Sequence, residues 1–194
     1  EVVIINTCGF IEDAKREAID NILELGQLKE DGSLKGLIVT GCLAERYANE
    51  VIDEMPEIDA VVGIGANEDI VDVINRVIDG EGGISKFADK DKLDMDSDRI
   101  LASPRYTAYL RIADGCDNCC TYCTIPFIRG RFRSRTMESV IDEAKRLALR
   151  GVKELVVIAQ DTTRYGEDLY GELKLAELLR KLCEVDGIEW IRIL

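Results

Sequence analysis

Cys116, Cys120 and Cys123 form a C-x3-C-x2-C pattern within Gly115-Cys116-Asp117-Asn118-Cys119-Cys120-Thr121-Tyr122-Cys123, with an aromatic residue directly before the last cysteine. Three thiolates on one short loop can hold three irons of a 4Fe-4S cube and leave the fourth iron without a protein ligand. A site closed by four protein ligands passes electrons only, whereas an open position lets a small molecule coordinate the metal directly. Disulfides and zinc compete with this reading. The seven cysteines are an odd count, with no signal peptide and no run long enough to cross a membrane, so disulfides are the weaker alternative. Cys116, Cys119, Cys120 and Cys123 also read as paired C-x2-C, but the two pairs abut, while zinc ribbons separate theirs by about a dozen residues or more so that four sulfurs converge. The spacing favours the cluster, with Cys119 a bystander beside Cys120.

The elements that must position this loop can be read from hydrophobic period. Glu1-Val2-Val3-Ile4-Ile5 is an unbroken β-branched run, expected as a strand buried on both faces. A helix is expected over 11–25, from the spacing of Ile11, Ala14, Ala18, Ile22 and Leu25, and a strand over 36–40. A helix then runs through Leu43, Tyr47, Val51 and Ile52 until Pro56 ends it. Ala60–Val62 is a third strand, and Asn67 is the expected cap of a helix carrying Ile70, Val73, Ile74 and Val77. Strand and helix alternate, which predicts a parallel sheet with helices on both faces over residues 1–79. Cys8 and Cys42 each follow a strand of that sheet, and open α/β sheets bind ligands along the carboxyl edge. The alternative is two small buried apolar residues.

Residues 80–104 lose the pattern. Glycines at 80, 82 and 83 and the charged run 89–98 read as a solvated linker. Over 105–194 a strand at 106–112 delivers the cysteine loop, followed by a helix at 137–150 capped by Thr136, a strand at 152–159, a helix at 172–185 and a strand at 188–194. This is the start of a (β/α) barrel, and the polar loop from Gln160 to Asp168 falls at the end where barrels place their active sites. Four arginines, Arg129, Arg131, Arg133 and Arg135, occupy seven residues; one of them is a candidate carboxylate holder, with solvated loop residues as the alternative for each. Cys183 reads as core and Trp190 as packing in or beside the last strand.

A net charge of -13 and a pI near 4.6 argue against a broad nucleic-acid-binding face. No histidine occurs, so chemistry rests on cysteine, carboxylate, arginine, lysine, tyrosine or a bound cofactor. Free cysteines without a secretory segment place the chain in the cytoplasm.

Ile112-Ala113-Asp114-Gly115 before the triplet and Ile125-Pro126-Phe127-Ile128-Arg129-Gly130 after it resemble the radical S-adenosylmethionine (SAM) enzymes, their methylthiotransferase branch in particular. Asn6-Thr7-Cys8-Gly9-Phe10-Ile11 and Gly41-Cys42-Leu43-Ala44-Glu45-Arg46-Tyr47 are similar to the amino-terminal domain of that branch, where three cysteines carry a second 4Fe-4S cluster. The resemblance implies a truncated open parallel α/β sheet domain followed by the first half of a radical-SAM partial (β/α) barrel. It implies that a cluster on Cys116, Cys120 and Cys123 binds SAM and yields a 5'-deoxyadenosyl radical. It also implies a second cluster held in part by Cys8 and Cys42, its third cysteine upstream of residue 1, that supplies or carries sulfur. By the same resemblance Tyr122, Gln160 and Asp161 are cofactor-binding candidates. Gln160-Asp161 followed by Tyr165-Gly166 is similar to the branch that modifies the β-carbon of an aspartate on a small-subunit ribosomal protein, whereas the tRNA-modifying branch usually has Gln-Asn. The expected partners are that ribosomal protein, SAM and an electron donor such as flavodoxin, with no membrane. Activity of this stretch alone is not expected. Methylthiolation of a tRNA adenosine and a non-catalytic zinc-binding or interaction fragment are the alternatives.

Overall fold

A computed structural model describes residues 1–96 and 99–194. The chain forms two compact units, one from Glu1–Leu93 with Tyr122–Arg129, the other from Asp94–Thr121 with Gly130–Leu194.

The first unit is a four-stranded sheet in the order β1-β2-β3-β4, parallel throughout. Its strands are β1 (Val2–Thr7), β2 (Gly36–Gly41), β3 (Ala60–Val62) and β4 (Ile84–Lys86). Its helices are α1 (Glu12–Glu30), α2 (Cys42–Arg46), α3 (Ala48–Glu54) and α4 (Ile70–Ile78), with α5 (Ile125–Arg129) from the later segment. Strand residues alternate between faces, and here both faces are dry. Leu37, Val39 and Val61 pack with Ala18, Ile22, Leu43 and Val51 of α1, α2 and α3, whereas Ile38, Ala60 and Val62 pack with Val73 and Val77 of α4. Each fully buried aliphatic side chain contributes about 1.5–3 kcal/mol. The buried run Leu37–Val39 is therefore the anchor of this unit.

Several expectations are corrected here. β1 is an edge strand among the described residues and Ile4 is 41% exposed, so the run is not buried on both faces. α1 continues to Glu30, past the last of its spaced apolar residues. The helix expected up to Pro56 is two, broken at Tyr47 (φ -124°, ψ 36°). Asn67 caps nothing: it lies in a 3-10 turn, Ile64–Asp69, and its Oδ1 accepts from the Thr40 hydroxyl at 3.1 Å. Part of the expected linker is strand β4, which aligns Ile84 with Ala60 and buries it.

The second unit contains β5 (Thr107–Arg111), β6 (Ala113–Asp114), β7 (Arg133–Ser134), β8 (Glu154–Ile158) and β9 (Trp190–Ile193), with α6 (Met137–Leu149), α7 (Glu167–Tyr170) and α8 (Leu175–Cys183). A parallel sheet in the order β5-β8-β9 pairs Leu110 with Val157 and Leu155 with Ile191, while β6 and β7 form a short antiparallel pair. Ala108, Leu110, Leu155 and Val157 meet Val140, Ala144 and Leu147 of α6 and Leu178 and Leu182 of α8. Thr136 caps α6, its hydroxyl accepting from the Ser139 amide at 3.3 Å. Cys183 is not core but exposed: it follows Leu182 by about 100° of helix rotation, which carries it off the buried stripe. Trp190 opens β9 but is 62% exposed. No described helix is long and apolar enough to cross a membrane.

Candidate metal centre

In the second unit the cysteine loop leaves β6 under tight backbone control. Gly115 has φ 77°, and a Cβ there would lie 2.0 Å from the Arg131 carbonyl oxygen, so only glycine fits. The Cys116 amide donates to the Gly130 carbonyl at 3.2 Å, and the Phe132 amide donates to Asp117 Oδ1 at 3.3 Å. Asp114, just before this turn, is fully buried with Oδ2 3.8 Å from both Arg111 and Arg133.

The loop after β8 reaches the same segment. Asn118 Nδ2 donates to Asp161 Oδ2 at 2.8 Å, while Asp161 Oδ1 accepts from the Thr163 hydroxyl at 2.6 Å and amide at 3.1 Å. The Thr163 hydroxyl, then the Asn118 amide, hold the Asp161 carboxyl below the usual carboxylate range. Asp161 thus orients the cysteine loop from the strand-end position that sequence pointed to. Asn118 was missed, since a lone polar residue between cysteines carries no sequence signal of a partner at position 161. Gln160 is exposed. Within the loop Cys116 is buried, Cys119 turns through a left-handed conformation (φ 50°), and Cys119 and Cys120 are exposed.

The arginine cluster divides by role. Arg135 is 3% exposed and bonds Asp96 at 2.7 Å, Glu143 at 2.5 Å, Ser139 Oγ at 2.9 Å and the Arg111 carbonyl at 2.8 Å. It is therefore a structural residue rather than a solvated or ligand-holding one. Tyr165 and Gly166 brace the same strand: the buried Tyr165 hydroxyl donates to the Arg135 carbonyl at 3.0 Å, and the Gly166 amide donates to Ser134 Oγ at 2.9 Å. Burial pushes the Tyr165 phenol far above its ordinary value.

In the first unit, register aligns Thr7 with Gly41, so Cys8 and Cys42 follow paired residues on neighbouring strands at one carboxyl edge. Gly41 has φ 97°, and a Cβ on it would lie 2.4 Å from the Thr7 carbonyl oxygen. Arg46 donates to the Gly9 carbonyl at 3.0 Å, and Glu45 accepts from the Ile64 amide at 2.9 Å. Segment 122–129 belongs here: α5 packs on α2, Ile128 is fully buried, Lys90 donates to the Phe127 carbonyl, and Arg129 donates to Cys42 Sγ at 3.4 Å. The Arg129–Cys42 contact spans 87 residues of sequence and was not foreseen. Cys8 is exposed, Cys42 and Cys123 are half-buried, and Tyr122 is 84% exposed.

All seven cysteines are free thiols. Among the described residues no three Cys, Asp or Glu side chains converge on one point. A cubane asks less, because each iron takes its own sulfur. Cys116, Cys120 and Cys123, three free thiols within eight residues, are soft donors of the kind such a cluster takes. Cys8 and Cys42 offer two such donors at adjacent strand ends.

Residues 110–194 match the Radical SAM superfamily, and residues 1–63 match a family described as Uncharacterized protein family UPF0004. A solved radical SAM methyltransferase, TsrM from Kitasatospora setae with tryptophan substrate and a SAM analogue bound, shares the fold with TM-score 0.60 at 15% identity, over 93% of this chain and 39% of that one. Ribosomal protein uS12 methylthiotransferases RimO from Desulforamulus reducens and Clostridioides difficile are each 52% identical to the whole of this chain. The chain therefore carries a UPF0004 region and a Radical SAM superfamily region, and over its whole length it is similar to those methylthiotransferases. It spans 44% of the length of those relatives.

Proposed function

We propose that this chain is the cluster-bearing part of a methylthiotransferase acting on the β-carbon of an aspartate in a small-subunit ribosomal protein, the uS12 named in its relatives. The observation that carries the reading is the Asn118–Asp161 bond, which ties the cysteine loop to the strand-end motif Gln160-Asp161. Cys116, Cys120 and Cys123 would hold a 4Fe-4S cluster, and Cys8 and Cys42 would contribute ligands to a second. Bound there with SAM, the first cluster would supply the one-electron chemistry needed to take hydrogen from an unactivated carbon, which no side-chain acid or base of this chain can do.

The residues themselves do the positioning. Gly115 and the Cys116 amide fix where the loop leaves the sheet, and Asp161, ionised and accepting from Asn118, sets the course of its middle. On this reading Gln160 and Tyr122, each exposed, would contribute contacts to SAM. A cytoplasmic setting and a flavodoxin-like electron donor complete the proposal, in line with free thiols in a reducing compartment.

The test is an anaerobic iron and sulfide count with electron paramagnetic resonance, with and without SAM, on a chain of the relatives' length and on its Cys120→Ala variant. The expected result is a 4Fe-4S signal that shifts with SAM and is lost from this site in the variant. Zinc in place of iron and sulfide, or a cluster indifferent to SAM, overturns the cluster assignment. Product analysis on uS12 and on tRNA decides the substrate, with methylthiolation of tRNA alone overturning the ribosomal reading.

A further inference from the structure

A cavity of about 240 Å³ opens between α1 and the α2–α3 pair of the first unit. Its floor is apolar, from Ile19, Leu43, Val51 and Met55, and Tyr47 forms a wall at the break between the two helices. That ring already seats cations: Lys15 Nζ lies 5.5 Å and Arg46 Cζ 4.9 Å from its centroid. The rim is acidic, with Glu12, Glu50 and Glu54. Glu12 is paired to Lys15 at 2.5 Å, but among the described residues Glu50 and Glu54 have no ion-pair partner.

The two unpartnered carboxylates repel one another, and one of them also lies at the unfavourable end of its helix. Glu50 and Glu54 are four apart on α3, a like-charge spacing that destabilises a helix. Glu54 is also the last residue of α3, at the negative end of the helix dipole, in a last turn without a basic residue. A cation delivered to this rim relieves both. A floor of aliphatic side chains below it suits the methylene stem of a long basic side chain, whose head then stays among the carboxylates.

We propose that this cavity binds a lysine or arginine side chain of a basic polypeptide. Resting on the function proposed above, that polypeptide is the ribosomal protein substrate: a protein that binds RNA must carry clustered Lys and Arg, and this chain, with net charge -13, is its electrostatic complement.

Met55 lines the cavity and is one of three methionines in the chain, which gives a local probe. With methyl-labelled methionine and the Met55 signal assigned by Met55→Leu, titration with penta-arginine is expected to shift the Met55 methyl resonance, and penta-glutamate is not. Glu50→Gln with Glu54→Gln, two exposed changes that leave the floor intact, is expected to abolish the shift. No shift at Met55, or the same shift in the double variant, overturns the cavity as a cation seat. In the reconstituted enzyme of full length, the double variant is expected to raise KM for uS12 about tenfold with kcat unchanged. An unchanged KM while uS12 is still turned over overturns the substrate assignment. Absence of uS12 modification by the unaltered enzyme instead sinks the functional reading, and the Met55 titration judges the cavity without it.

Discussion

The two units hold their cysteines at strand ends by different means. In the four-stranded unit, Cys42 leaves β2 through Gly41, whose conformation and 2.4 Å approach to the Thr7 carbonyl leave no room for a side chain. In the three-stranded unit, a similar glycine at 115 starts the cysteine loop, but the rest of the loop depends on side chains: Asp117 to the Phe132 amide, Asn118 to Asp161, and Arg135 beneath the strand that Gly130 and Arg131 lead into. A steric constraint answers to volume and is indifferent to pH. A hydrogen-bonded one answers to ionisation and to single polar substitutions; the first unit's edge has such bonds too, through Arg46, Glu45 and Arg129, but the Asp161 contact makes the loop of the second unit the one that acid loosens.

The largest expected effect comes from Arg135→Ala, which withdraws a buried guanidinium from Asp96 and Glu143. The loss is about 3 kcal/mol, read by urea denaturation, and Arg135→Lys recovers little of it because one ammonium cannot replace the planar fork. A loss below about 1 kcal/mol would mean that the polar side of the comparison is wrong. Next, Gly41→Ala in the first unit is expected to cost about 2 kcal/mol through strain and overlap, equally at pH 7 and pH 4. A pH-dependent loss would erase the distinction between the edges.

Tyr165→Phe removes the donor to the buried Arg135 carbonyl and is expected to cost about 1 kcal/mol by denaturation. Asp161→Asn has the smallest global effect, about 0.5 kcal/mol or less for a partly exposed site. Its local effect is diagnostic. The folded Asp161 carboxyl is lowered, so its contribution is complete above the unfolded value near 4 and is lost as pH falls through the lower folded value. The protection factors of the 116–121 amides against hydrogen exchange should therefore fall in the native protein below about pH 4 and be lower but flat with pH in Asp161→Asn. Exchange at Cys8 and Cys42 should follow neither change.

Much of this architecture is legible in sequence where burial is continuous. Leu37–Val39 and the strand 154–158 announce themselves because both faces are dry, and the C-x3-C-x2-C spacing announces its chemistry because it is local. β4 hid because Ile84 is the only apolar residue of a three-residue strand beside three glycines; the sheet, not propensity, makes it a strand. Cys183 misled because an apolar stripe read without its phase admits one residue too many. Arg135 looked like Arg129 and Arg133, which are half-buried, and Arg131, which is exposed, since nothing in a run of arginines tells which one the fold encloses. Asn118–Asp161 and Arg129–Cys42 join residues 43 and 87 apart, pairings that only the folded chain creates.

Segment 122–129 makes the first unit discontinuous. That unit takes its main body from residues 1–93 and then α5, Ile128 included, from inside the stretch that codes the second. The gene therefore has no cut point that yields the sheet unit whole. A shortened coding sequence ending at the linker would strip α2 of its neighbour and leave bare the apolar surface that Ile128 covers. For the same reason recombination at that linker would not transplant an intact unit into another protein.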